Sequence, residues 1–438
     1  MINNKLLSFY ERIKETDIIP GILLYAVILS NAYIMTYSVF VSLASIILLL
    51  IYRRKDKSYW CKPLIYFAFL FPMIIIGFAT SMIHNSALTQ RDYLRDIFYL
   101  SQSASFYFSG ILFGACFASN RIWFKRYLYL SSFVLLLCNT AIFVLGGSFK
   151  FDAIREAYLH GMETIAIAMF ISTIDIVDRK KSKNRKDLLL AIGVLITCIF
   201  QFVISFSRTG IILVFAFYSI YIFGKKNKIL IFSYLGVLVL IVGMFILSLN
   251  IEIPYLSIYA KKIYGSLSEI SINHNWDNYK ERTQNWRGYE LEMALKMMLN
   301  SDVGTILFGK GYGAAVQLSY SQPIDNLTYI NLPIIHNSYA GLLVKTGVVG
   351  ILLVLAAYSA PYLLIINSKS DLDYSSLCIS IFVYIVIAQC FVMGTFSSCE
   401  FGMPVMFYSL FLFVLDKEKQ TKTTETIENT IGEVITNG

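Results

Sequence analysis

Residues 188–206 read LLLAIGVLITCIFQFVISF, without one charged side chain. A helix that crosses a bilayer needs about 20 consecutive apolar residues, so this run predicts a membrane span. Its two flanks differ. Arg179, Lys180, Lys181, Lys183, Arg185 and Lys186 precede it, whereas Ser205–Phe206–Ser207–Arg208–Thr209–Gly210 follows it. Apolar runs of similar kind recur outward, at 18–33, 35–52, 63–82, 98–118, 127–146 and 161–178 before it, and at 211–224, 229–249, 337–366, 376–395 and 403–416 after it. Composition agrees: of 438 residues, 57% are hydrophobic and 15% charged, with a mean hydropathy of +0.63. A soluble domain carries about a quarter charged residues, which excludes an ordinary cytoplasmic enzyme. The expected fold is an all-α integral membrane protein with about twelve transmembrane helices. Residues 18–52 are long for one span and short for two, and charge decides for two.

Every basic cluster follows an even-numbered span: Arg53, Arg54, Lys55, Lys57 and Lys62; Arg121, Lys125 and Arg126; 179–186; and Lys225, Lys226 and Lys228. The positive-inside rule then places these loops and both termini in the cytoplasm. The net charge of +9 therefore sits in short loops, which argues against nucleic acid as a partner. Seven cysteines at irregular spacing give neither a disulfide framework nor a metal knuckle. Four histidines without helical pairing give no zinc site, and no cofactor is called for. The N-terminus lacks a cleavable signal pattern, so the first run is expected to stay as an anchor. The organisation that results is spans one to nine in 1–249, an outer loop at 250–336 between spans nine and ten, spans ten to twelve in 337–416, and a cytoplasmic disordered tail at 417–438, rich in Thr, Glu and Asn. The outer loop is much the longest connection, and its seven Lys/Arg nearly balance its eight Asp/Glu, as expected of a folded helical cap.

The residues able to carry chemistry gather on the outer side. Arg208 lies between two apolar runs, where its guanidinium fork either grips an anion or snorkels to lipid headgroups. Thr209 and Gly210 begin the next helix and would offer N–H groups to an anion. Within the loop, Arg282–Thr283–Gln284–Asn285–Trp286–Arg287–Gly288–Tyr289–Glu290 leads into Leu291, Ala294, Leu295 and Met298, the spacing of an amphipathic helix. Arg287 and Glu290 face a substrate there or pair with each other at i,i+3. Leu307–Phe308–Gly309–Lys310–Gly311–Tyr312–Gly313 permits a tight turn with close backbone approach, and is a weak phosphate cradle because the P-loop spacing is absent. His336, in Ile335–His336–Asn337–Ser338–Tyr339, stands where the loop re-enters the membrane. A lone histidine is most often structural, but this one shares a membrane face with Arg208 and Arg287. The three together could bind a diphosphate and remove a proton beside it. Acidic candidates for a metal are poorer. Asp92 and Asp96 are expected to pair with Arg91 and Arg95, and Asp371 and Asp373 fall on the cytoplasmic side.

Ser-Arg-Thr-Gly at 207–210, the arginine at 287 leading an amphipathic helix, Phe-Gly-Lys-Gly-Tyr-Gly at 308–313, His-Asn-Ser-Tyr at 336–339 and Gly347-x-x-Gly350 occur in that order. Together they closely resemble the O-antigen polymerase and O-antigen ligase superfamily over about residues 190–360. The resemblance implies a twelve-span, GT-C-like glycosyltransferase of the bacterial inner membrane, acting on undecaprenyl-diphosphate-linked glycans outside the cytoplasm. It implies that Arg208 and Arg287 bind the diphosphate and that His336 acts at the acceptor hydroxyl. Arg282, Glu290 and Lys310 are secondary candidates. Family members often carry an aromatic residue four after the loop arginine. Leu291 stands there after Arg287, which keeps Arg282 as a rival.

The motif spelling favours a polymerase of O-antigen or capsule. The alternative is a ligase that transfers the glycan to lipid A-core, and a more remote one is a flippase or transporter. Partners implied are the donor and acceptor glycans, the bilayer, a flippase and a chain-length regulator. Arginines rather than carboxylates at the donor site lead to the expectation of metal-independent transfer.

Overall fold

The computed structural model describes residues 17–53, 61–84, 90–147, 151–177, 185–205, 207–224, 271–272, 275–324, 327–366, 372–390, 396 and 401–437. Helices α1 (Ile18–Tyr33) and α2 (Ser38–Tyr52) are separate, because Ile34 leaves helical geometry (φ −132°) before a short 3₁₀ turn. There follow α3 (Ile65–His84), α4 (Gln90–Phe117), α5 (Arg121–Gly146), α6 (Phe151–Tyr158), α7 (Met162–Val177), α8 (Arg185–Ser205) and α9 (Arg208–Gly224). Beyond residue 270 come α10 (Tyr279–Gln284), α11 (Trp286–Leu299), α12 (Val303–Phe308), strands β1 (Val316–Ile324) and β2 (Leu327–Leu332), α13 (Ser338–Ile366), α14 (Leu372–Ala388) and α15 (Gly402–Asn437).

The expected twelve spans are not found. Among the described residues, five helical segments are long and apolar enough to cross a membrane: Met35–Tyr52, Lys62–His84, Arg121–Gly146, Arg185–Ser205 and Ser338–Ile365. The reasons for the shortfall are local. Ile18–Tyr33, Thr209–Gly224 and Tyr374–Ala388 are apolar but short, as is α7. Helix α4 is long, but it begins with Arg91, Asp92, Arg95 and Asp96 and continues through Gln102, Ser103, Ser105 and Ser109. The apolar stretch of α15 ends at Asp416. The expected span at 229–249 lies outside the described residues. Five long apolar helices still mark a multi-pass membrane protein, and their outward side chains agree. Ile47, Phe71, Leu137, Val203 and Leu352 all stand more than half exposed, as lipid-facing residues must.

Residues 417–437 continue α15 to Asn437. Glu, Lys and Gln are good helix formers. The start of the extension is held by Arg121 on Glu418 and by the Lys62 N–H on Asp416 (3.1 Å).

The bundle is built around α4 packed on α15. Two glycines set their approach. A Cβ on Gly110 would lie 2.1 Å from the Met406 carbonyl oxygen, and one on Gly114 would lie 2.8 Å from that of Leu410. A pair of small residues four apart lets the helix backbones close on each other. Several polar residues of α4 find partners inside the bundle. Ser109 meets Ser42 (2.7 Å), Ser103 meets the Tyr66 hydroxyl (3.1 Å) and Tyr107 donates to the Pro63 carbonyl (2.9 Å). Tyr66 and Tyr107 stack with centroids 3.8 Å apart. Much of the aromatic content is thus spent on helix interfaces.

A second, smaller core lies in the cap. Tyr289, Met293, Ala294 and Met298 of α11 pack on Val316 and Leu318 of β1 and on Ala340 and Val344 of α13. The cap is not purely helical as expected. β1 and β2 form an antiparallel hairpin, with Val316 opposite Leu332 and Gln317 opposite Asn331. Helix α13 belongs to both cores and is interrupted where they meet. Gly347 has φ +68°, and a Cβ there would sit 2.2 Å from the Leu307 carbonyl oxygen of α12.

Candidate functional site

Glu290 shares the buried face of α11 with the apolar side chains, at 1% exposure. An ionised carboxylate in such a place costs several kcal/mol unless it is bonded. Its partner is His336. The His336 backbone N–H donates to Glu290 Oε2 at 2.9 Å, and His336 Nδ1 lies 2.9 Å from Oε2 and 3.1 Å from Oε1. An ionised carboxylate only accepts, so beside one Nδ1 is the donor. The imidazole is about one-third exposed (32%). The sequence reading offered Glu290 a pairing with Arg287. The structure instead joins it to a residue 46 positions away.

The rest of the His-Asn-Ser-Tyr motif anchors that histidine. Asn337 caps α13 by accepting from the Ala340 N–H (3.0 Å) and donates to the Cys390 carbonyl (3.0 Å). The Ser338 N–H donates to the Gln389 carbonyl (3.0 Å), and the Tyr339 hydroxyl to the Val386 carbonyl (2.9 Å). Three consecutive residues thus tie the start of α13 to the end of α14. Positional precision at His336 follows.

The two loop arginines separate by environment. Arg287, half-buried, stands one turn before Glu290 on α11, where i and i+3 are surface neighbours. Arg282 is buried. Its guanidinium donates to the Trp276 carbonyl and lies over the Tyr320 ring, 4.2 Å from the centroid. Hydrogen bonding to the same chain and cation–π contact make Arg282 part of the cap's fold. Arg282→Ala should therefore lower the melting temperature by several degrees through loss of this packing, read by thermal unfolding in detergent, with donor affinity unchanged in the folded fraction.

Arg208 opens α9, and its side chain lies outside the described residues. Its backbone is nevertheless located by the neighbours of α9. On α7, Thr173 meets the Tyr218 hydroxyl (2.8 Å) and Glu163 meets the Tyr384 hydroxyl (3.4 Å). The C-terminal half of α9 thus lies beside one end of α7 and the C-terminal half of α14 beside the other. α9 and α14 are therefore antiparallel. The start of α9 shares an end of the bundle with Gln389 and Cys390, and so with His336. Ser207 caps α9 by accepting from the Gly210 N–H at 3.1 Å. That N–H, expected to be open to an anion, is already engaged.

The glycine motif is a clamp and not a cradle. Gly309, Gly311 and Gly313 all have positive φ (78°, 94° and 81°). The N–H of Lys310 donates to Val344 (2.7 Å), that of Gly311 to Lys345 (3.0 Å), that of Tyr312 to Gly77 (3.2 Å) and that of Gly313 to Asp96 Oδ2 (2.8 Å). A Cβ on Gly311 would meet Ser81 N at 2.1 Å. The loop's donors are used to lock the cap onto α3, α4 and α13. Asp96 accepts also from Lys345 Nζ (2.6 Å) and lies 3.6 Å from Arg95, while Arg95 pairs chiefly with Asp92 (2.7 Å). Only part of the expected Asp–Arg pairing is thus realised. The Asp96–Lys345 pair, both residues buried, is new. Its sequence signal was a lysine well inside an apolar helix. Asp371 and the Asp373 side chain lie outside the described residues. Among the described residues, no group of three or more His, Cys, Asp and Glu is arranged to hold a metal ion.

Residues 193–355 match a family model described as O-antigen ligase. The match runs from inside α8 to inside α13 and encloses Arg208, Arg282, Arg287, Glu290, Lys310 and His336. No curated protein matches the chain. The chain therefore carries a domain of this family over part of its length, in keeping with the O-antigen polymerase and ligase superfamily.

Proposed function

We propose that the protein is a membrane glycosyltransferase that moves an oligosaccharide from undecaprenyl diphosphate onto an acceptor hydroxyl, on the extracytoplasmic face of a bacterial inner membrane. The observation that carries this reading is the buried Glu290 carboxylate on His336 Nδ1, one helical turn from Arg287. A histidine held in one tautomer by a buried carboxylate suits a general base. The matched model bears the ligase name, which favours transfer to lipid A-core over the polymerisation that the motif spelling suggests.

In this mechanism Arg287 and Arg208 hold the diphosphate. The acceptor oxygen attacks the anomeric carbon and its proton passes to His336 Nε2. The bond from that carbon to the phosphate oxygen breaks, with the electron pair leaving on the diphosphate. Two guanidinium groups, one from the start of α9 and one from the start of α11, stabilise the growing negative charge. Protonated His336 is stabilised by Glu290 and returns its proton to solvent.

The test is turnover of purified protein with lipid-linked donor and glycolipid acceptor from the producing strain. Glu290→Gln keeps size while removing the charge, and its amide can force the wrong tautomer. It should cut transfer by about 10²-fold or more. An unchanged rate would remove the pair from catalysis. The orientation is part of the proposal and rests on the basic clusters. A cysteine at position 183 (Lys183→Cys) should resist an impermeant maleimide added from outside, and modification from outside would reverse the topology.

A further inference from the structure

A cleft of about 420 Å³ opens on the cap. Gln317 and Asn331, cross-strand partners in the hairpin, form one wall. Asp302 and Ser301, past the end of α11, face Lys310, and His84 at the end of α3 closes the membrane side. Two stretches of chain connect the cleft to His336. Asn331 is five residues before it on the same strand exit. Met297, which also lines the cleft, follows Glu290 by seven residues, about 10 Å along α11 at 1.5 Å per residue.

Its chemistry is unlike that of a lipid groove or a phosphate site. Two amides, two hydroxyls, a carboxylate, an ammonium and an imidazole offer donors and acceptors of both kinds, with no excess of cations. Such a set fits a polyhydroxylated ligand, since adjacent sugar hydroxyls each donate and accept. The groups are also held in place. Asp302 accepts from the Thr305 N–H (3.0 Å) and hydroxyl (2.6 Å), which keeps its carboxyl below the usual range and leaves acceptor capacity over. The backbone at Lys310 is fixed on Val344. Beside His84, Met82 and Ile83 are 80% and 76% exposed at the end of a membrane-length helix. A sugar that arrives on a lipid anchor would have apolar surface for that anchor directly below the cleft.

We propose that this cleft is the subsite for the non-reacting sugars of a glycolipid acceptor, placing its terminal hydroxyl at His336; the assignment rests on the transferase reading above. The probe is oligosaccharide released by mild acid from the producing strain's own lipopolysaccharide, titrated calorimetrically onto the purified full-length protein. Wild type should bind it, and Gln317→Ala/Asn331→Ala should bind it at least about tenfold more weakly with an unchanged melting temperature. His336→Ala should bind as wild type. In turnover the double variant should raise the acceptor KM by a similar factor and leave kcat and the donor KM alone. Equal affinity in wild type and double variant overturns the subsite, as does a rise in the donor KM instead. Because binding is read without turnover, the two readings fail separately. A wild type that transfers glycan while the double variant binds normally sinks only the subsite. A wild type that never releases undecaprenyl diphosphate sinks the transferase reading itself.

Discussion

Replacing His336 with alanine is expected to lower glycan transfer by about 10²–10⁴-fold while donor binding stays near wild type. The expectation follows from where the side chain is tied. In the proposed mechanism Nδ1 is held by Glu290 and the acceptor's proton goes to Nε2, while Asn337, Ser338 and Tyr339 are each bonded to the end of α14. The anchors survive the substitution, so the fold should persist. Glu290 is then left buried with half its partners gone, which costs some stability. Single-turnover assays with saturating donor separate the steps. Transfer above a tenth of the wild-type rate would show that another group removes the proton.

The second large effect is on stability. Lys345→Met should destabilise the protein by about 3 kcal/mol, because it removes the closest cation from the buried Asp96 carboxylate and leaves it with the Gly313 N–H and the more distant Arg95 guanidinium (3.6 Å). The loss should be localised. Amide exchange should rise first in 309–313, the loop that Asp96 and Lys345 together hold against the bundle. Transfer should fall with it, although neither residue belongs to the proposed chemistry. The double variant Asp96→Asn/Lys345→Met removes both charges while keeping an acceptor for Gly313, and should recover at least half of the lost stability. If it proves no more stable than Lys345→Met alone, the pair is not what fastens the cap.

The sequence carried the motifs and their order, the cap helix beginning near Arg287, and the break between α1 and α2. The motifs and the cap helix are local signals, helical spacing and turn glycines, while the break came from the distribution of basic clusters. The number of spans was not legible, because apolar runs at 98–118 and 403–416 look like spans by composition, while the structure places them in helices interrupted by polar residues and internal hydrogen bonds. The hairpin did leave a signal, in Val316 and Leu318 at alternate positions, but glycines beside it drew attention to the turn. Glu290–His336 and Asp96–Lys345 were hidden for a different reason. Each joins residues far apart in the chain, and each acid had a nearer basic neighbour that satisfied a local reading. Glu290 had Arg287, and Asp96 had Arg95.

The interruption at Gly347 resets the angular phase of α13. Up to that point the helix presents Ala340 and Val344 to the cap, with Leu342 already against the bundle; beyond it, Val354, Ala357 and Tyr358 face the bundle. In an unbroken helix these two sets would share one rotational register, and any insertion or twist on one side would turn the other. With a left-handed residue as a swivel, the two halves keep independent registers. The upper part of the molecule can change its sequence while the membrane-embedded part stays as it is.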